Sequence, residues 1–220
     1  KATDGTVFCV DLYWGKVLPG IIKAIPAGLD ISPSGKWFVL VSGGFRFLKI
    51  EDMECGDVST SFTLPTLSAG HNGWAVDANG DEVLVFQDNK NDWYSSFNPE
   101  TKERIDIIHM SETGWGFNQH IASIRNPAIR GWSVWSSYSK SGTAWSDNQL
   151  MLGEIKSHDT YPPPRIVRLG NTETLWAPLT GDDKEAWYFA EAFASVDHDG
   201  NIWWGCNWRG TDNLELVKMT

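Results

Sequence analysis

Few side chains in this chain could do chemistry, and they are scattered. His71 opens the run HNGWAVD, and Asn118, Gln119, His120 and Arg125 lie within FNQHIASIR. Tyr138 and Trp145 bracket the polar run YSKSGTAW, Glu191 starts EAFASVD, and Trp208 and Arg209 follow a Trp-rich stretch. An imidazole, a guanidinium and a phenol are what β-elimination at a sugar acid requires. A base removes the proton α to the uronic carboxylate, a cation offsets the developing charge, and an acid protonates the departing oxygen. On that reading His120 is the base, Arg125 or Arg209 the cation and Tyr138 the acid, with Glu191 completing the catalytic set. His71, Asn118, Gln119, Trp145, Trp208 and Arg209 would then hold the glycan. The plainer reading is structural: both histidines bonded to neighbouring loops, and Arg125 paired with an acid on the next repeat.

Other chemistries fit less well. Hydrolysis of a glycoside needs two carboxylates roughly 5–10 Å apart, and Glu191 with Asp147 or Asp212 sits in no distinctive motif. His71, His120 and Glu191 are chemically suitable ligands for a divalent cation such as Ca²⁺ or Mn²⁺. The run Asp197-His198-Asp199-Gly200 has carboxylates two apart, which can chelate Ca²⁺. Its counterpart Asp77-Ala78-Asn79-Gly80 favours a turn in which the Asx side chain caps the backbone. No GxSxG, HExxH, phosphate-binding or dinucleotide-binding pattern is present.

What must position these groups is a repeat. GLDISPSGKWFVLV at 28–41, HNGWAVDANGDEVLVF at 71–86, FNQHIASIRNPAIRGWSVW at 117–135 and AEAFASVDHDGNIWWG at 190–205 share one plan. Each is a strand, a tight turn closing on Gly, and a second strand rich in Val, Ile, Leu or Trp. The turn glycines Gly35, Gly80, Gly131 and Gly200 are 45, 51 and 69 residues apart. A repeat of roughly 40–50 residues with four strands per unit predicts an all-β fold, a β-propeller of four-stranded antiparallel blades. Residues 1–26 read as a partial blade, 27–66 and 67–110 as blades, 111–175 as a blade with enlarged loops, and 176–220 as an incomplete blade. About four and a half blades are then visible in one domain, which suggests part of a larger, seven-bladed ring whose open edges could associate. Long connections at 136–148 and 171–191 are where function concentrates, and a helical turn is allowed within 180–190.

The repeated strand, Asp/Ser-x-x-Gly turn and hydrophobic strand resemble TolB-like propeller repeats, relatives of the WD-repeat propellers. His71, His120, Glu191 and the NWRG at 207–210 resemble positions in propellers of secreted polysaccharide lyases of the oligogalacturonate and ulvan type. That resemblance implies elimination on a polysaccharide outside the cytoplasm, in the extracellular space or periplasm.

Composition narrows the partners. A net charge of −10 and a pI near 4.9 argue against nucleic acid, whose phosphates draw on clustered Lys and Arg. No apolar run reaches the length of a membrane helix, and the start carries no signal-peptide pattern. Cys9, Cys55 and Cys206 are odd in number and lack metal spacing; buried thiols are expected, with a Cys9–Cys55 disulfide the alternative. Thirteen Trp in 220 residues is a large excess. Packing between blades accounts for part of it, and stacking on sugar C–H faces for the rest. Besides the lyase reading, the sequence therefore supports a glycan-binding module without catalysis, and a protein-interaction scaffold using the apolar loop WAPL at 176–179.

Overall fold

A computed structural model describes residues 6–7, 10–11, 13–17, 22–23, 28–41, 44–49, 62–64, 69–113, 118–138, 144–174, 192–206 and 215–220. It is an all-β, β-propeller fold whose blades are antiparallel sheets of consecutive strands. Contacts divide the chain into two compact units, Lys1–Ala69 with Asp88–Asn91, and Gly70–Gln87 with Asp92–Thr220.

The first unit begins with a hairpin. β1 (Thr6–Val7) pairs with β4 (Ile22–Lys23), and β2 (Val10–Asp11) with β3 (Lys16–Val17). They fold back at the Trp14-Gly15 turn, where Gly15 takes a φ of 63°. A four-stranded sheet follows: β5 (Gly28–Ile31), β6 (Trp37–Val41), β7 (Phe45–Lys49) and β8 (Phe62–Leu64). Its SPSG turn is closed locally, with Ser32 Oγ accepting the Trp37 N–H at 3.1 Å and Gly35 N–H donating to the Ser32 carbonyl at 2.9 Å. Trp37, Phe38, Phe45 and Phe47 are buried on this sheet, and Phe62 stacks on Phe47 at 5.2 Å.

The second unit holds three further blades. β9 (Ala69–Val76), β10 (Glu82–Asp88), β11 (Trp93–Phe97) and β12 (Arg104–His109) form the first of them. A single helical turn, α1 (Met110–Thr113), leads to β13 (Asn118–Ala122), β14 (Trp132–Tyr138), β15 (Gln149–Glu154) and β16 (Ile166–Asn171). The last sheet has three strands among the described residues, β17 (Ala194–Val196), β18 (Ile202–Cys206) and β19 (Glu215–Met219). The 180–190 segment, Cys9, Cys55 and WAPL lie outside the described residues; Cys206 is buried.

Two apolar cores lie between successive blades of this unit. Val85, Tyr94, Ile107, Ile121, Trp135 and Met151 build one, and Ile124, Val134, Leu150, Val196, Ile202 and Trp204 the other. Each large side chain so buried contributes roughly 1.5–3 kcal/mol. The Trp135 indole lies flat where Gly153 has no side chain; a Cβ there would meet its ring carbons at 2.3–2.7 Å. Of the nine described Trp, Trp37, Trp74, Trp135 and Trp204 are buried, while Trp14 and Trp145 are exposed. Packing thus claims much of the Trp excess.

Candidate functional site

The second unit has two chemically distinct ends. At one, the hairpin turns of its three blades interlock. Asp77 Oδ1 accepts the N–H groups of Asn79 (2.9 Å) and Asp81 (2.8 Å). Asp197 Oδ1 accepts those of Asp199 (3.0 Å) and Asn201 (2.9 Å), and its Oδ2 accepts Trp203 Nε1–H at 2.9 Å. These donors, the Trp203 indole first, pull the Asp197 carboxyl down to about 2. Both runs are Asx turns, as expected from sequence. Between them sits the third turn: Gly131 N–H donates to the Val76 carbonyl at 2.8 Å, and Asn126 Nδ2 donates to the His198 carbonyl at 2.7 Å. Arg125 precedes Asn126 and is exposed at this end.

The other end is where β9, β13 and β14 bring the histidines together. β9 and β13 run so close that a Cβ on Gly73 would lie 2.7 Å from the Ile121 carbonyl oxygen. Two residues back, the rings of His71 and His120 meet edge to face at 4.2 Å. His120 pairs with Ser136 across the β13–β14 ladder, so Tyr138, two residues on, stacks beside it at 5.2 Å. Phe193, just ahead of β17, stacks on His120 at 3.7 Å. Ser136 fixes that approach: its Oγ donates to the Ala192 carbonyl at 2.5 Å and accepts the Ala194 N–H at 3.0 Å.

His120 and Tyr138 are buried, at 6% and 7% exposure, while Phe193 keeps 41%. Burial, with the neighbouring His71 adding to it, lowers the His120 imidazole to about 3; burial also lowers His71. Both rings are therefore neutral at pH 7. That is the form that ligates a metal, but no third ligand joins them, since no group of three His, Cys, Asp or Glu is arranged for a metal among the described residues. It is also a weak proton acceptor, far from the pKa near working pH that suits a general base.

Beside this cluster the enlarged β14–β15 connection is tied down. Ser137 Oγ donates to the Ser146 carbonyl, Ser146 Oγ donates to the Thr113 carbonyl at 2.5 Å, and Ala144 N–H donates to Asp147 Oδ2 at 2.9 Å. Trp145 projects from it with 41% exposure, its indole N–H donating to the Glu112 carbonyl at 3.2 Å. Its ring orientation is thereby fixed while much of its surface faces solvent.

Of the residues singled out in the sequence, His71, His120 and Tyr138 meet, and Trp145 stands on the connection that follows Tyr138. Arg125 does not join them. Asn118 and Gln119 belong to β13, and their side chains, like Glu191, Trp208, Arg209 and Asp212 entirely, lie outside the described residues. Sequence reasoning missed Phe193 and Glu112. Phe193 had a signal in its position, at the head of the fourth repeat's inner strand; Glu112 had none, because α1 carries no helical pattern.

No family model matches this chain, and no curated protein matches it. Solved structures do. TolB from Acinetobacter baumannii aligns with a TM-score of 0.56 at 10% identity, over 99% of this chain and 47% of its own. Kuenenia stuttgartiensis hydrazine synthase aligns at 0.54 and 15%, over 98% and 59%. Apo AztD from Citrobacter koseri aligns at 0.48 and 13%, over 97% and 64%. The chain thus spans about half to two thirds of those chains, and the likeness to TolB and hydrazine synthase, at identities this low, speaks to the propeller fold alone. Among the described residues no helix is long and apolar enough to cross a membrane.

Proposed function

We propose that this propeller binds carbohydrate outside the cytoplasm, at the end of the blades where its inner strands begin. The observation carrying this reading is Trp145: an exposed indole held in one orientation by Glu112, on a connection bonded to its blade at Ser137 and to α1 at Thr113. Sugar C–H faces stack on such rings, and a ring already ordered loses little entropy on binding. Phe193, stacked on His120, adds a second partly exposed aromatic face. A glycan array and calorimetry with Trp145→Ala test it: binding should fall at least tenfold with the melting temperature unchanged. Binding unaffected by the substitution would sink this reading.

A second reading, elimination on uronic-acid polysaccharides, draws on the meeting of His120, His71 and Tyr138. Against it stand the low basicity of His120 and the place of Arg125, exposed at the turn end of the unit. Its test is ultraviolet absorbance from unsaturated uronates, with His120→Ala and a chelator as controls. A signal lost in the variant would establish catalysis; no signal from any uronic-acid polysaccharide would remove it.

A further inference from the structure

A recess opens on the outer strands of the second unit. It measures about 300 Å³ and lies between β11–β12 and the loop that follows β15, with Trp93, Arg104, Asp106, Ser157, His158 and Asp159 in its wall. That volume is at the low end of small-molecule sites. None of these residues stood out in the sequence.

The wall is assembled before any ligand arrives. Arg104 Nε donates to Asp106 Oδ1 at 2.7 Å, Ser95 Oγ donates to the same oxygen at 2.7 Å, and Arg104 Nη2 donates to Ser95 Oγ at 3.1 Å. The His158 N–H donates to the Asp106 carbonyl at 2.8 Å, fastening the loop to β12. The His158 ring is oriented by two carboxylates, with Nε2 3.1 Å from Glu112 Oε1 and Nδ1 3.5 Å from Asp159 Oδ1. Trp93 meets the rings of His109 and His158 edge to face at 4.9 and 5.2 Å. Donors and acceptors thus alternate beside an indole and the aliphatic Ile105.

A ligand for such a wall carries hydroxyls that both donate and accept, on an apolar ring frame. The charges narrow it further. Three carboxylates (Glu103, Asp106, Asp159) face one guanidinium, so a uronate or phosphate would be repelled. Glu112 links this recess to Trp145: its carbonyl accepts the Trp145 indole N–H and its carboxylate meets His158. We propose that the recess at Trp93, Arg104, Asp106 and His158 is a subsite for a neutral sugar unit, contiguous across Glu112 with the Trp145 platform, so that the ligand is an oligosaccharide spanning both. This rests on the carbohydrate reading above and adds to it chain length and charge.

The test is calorimetry of neutral gluco-, galacto-, manno- and xylo-oligosaccharides from monosaccharide to hexasaccharide, beside uronic-acid counterparts. Wild-type affinity should climb with length for a neutral series. Asp159→Ala, whose side chain is almost fully exposed, and Ser157→Ala should each remove about tenfold from the longer ligands only, with melting unchanged, whereas Trp145→Ala weakens all lengths. Length dependence untouched by Asp159→Ala and Ser157→Ala, with Trp145→Ala still damaging, overturns the subsite and leaves the platform standing. Tighter binding of the uronic series overturns its neutrality. No binding by either series overturns the platform as well.

Discussion

The two ends of the second unit use similar residues to opposite effect. At the turn end, Asp77 and Asp197 spend their carboxylate oxygens on backbone N–H groups, and Asn126 and Gly131 bridge neighbouring turns. Both side chains are spent on donors close in sequence. At the strand-start end, His71 and His120 are stripped of charge by burial and held by rings, with Phe193 and Tyr138 against His120. One end is a polar lock that tolerates water; the other is an aromatic seal that excludes it. Carboxylates two residues apart are therefore no evidence of a metal when a turn can consume them, and paired histidines are no evidence of a base when rings enclose them.

The largest effect should come from what both ends share, the close approach of β9 and β13. Gly73→Ala forces a methyl onto the Ile121 and Ala122 backbone, which cannot give way as a side chain could. Failure to fold, or a melting temperature lowered by more than ten degrees, is expected in a thermal scan. A near-native melt would show that the strands can part, and the contrast between ends would lose its common frame.

Acid should then separate the ends. Between pH 6.5 and about 3 the unfolded chain protonates His120 while the folded chain does not, so stability falls as pH drops through that range, and His71, lowered in the same direction, adds to it. Asp197 acts in a lower window: its carboxylate stabilises the fold above 3.8, and that contribution is lost as pH falls to about 2. Denaturant melts should show the first slope, on the order of a few kcal/mol at most, and His120→Phe, which keeps the ring stack, should flatten it. An unchanged slope in that variant would mean that His120 is protonated in the folded chain.

Smaller still is the difference between the two Asx turns. Asp197→Ala should lower the melting temperature by several degrees, and Asp77→Ala by less, because only Asp197 also holds an indole. Equal losses would show that Trp203 adds nothing to its turn. Asp197→Asn should recover part of the loss, since an amide oxygen still accepts the N–H groups.

How much of this was readable in advance follows from range. The turns SPSG, DANG and DHDG are settled within five residues, by a positive φ at Gly and a side chain bonding two to five positions on, so their sequences announce them. Strands of Val, Ile, Leu and Trp between such turns were legible for the same reason. Phe193 on His120 joins residues 73 apart, and Glu112 between Trp145 and His158 depends on three separate segments. Such meetings come from blade register, which no local pattern encodes. The contacts of His158 with Glu112 and Asp106 likewise join separate segments.

The interlocking of the turns bears on how such a protein can change. Lengthening DANG or DHDG would pry apart bonds reaching to Asn126 and Gly131, so insertions are barred there. The run between Tyr138 and Gln149 is attached at Ser137 and Thr113, near its roots. Evolution, or an engineer changing ligand preference, has more freedom on the side of that connection than at the interlocked turns.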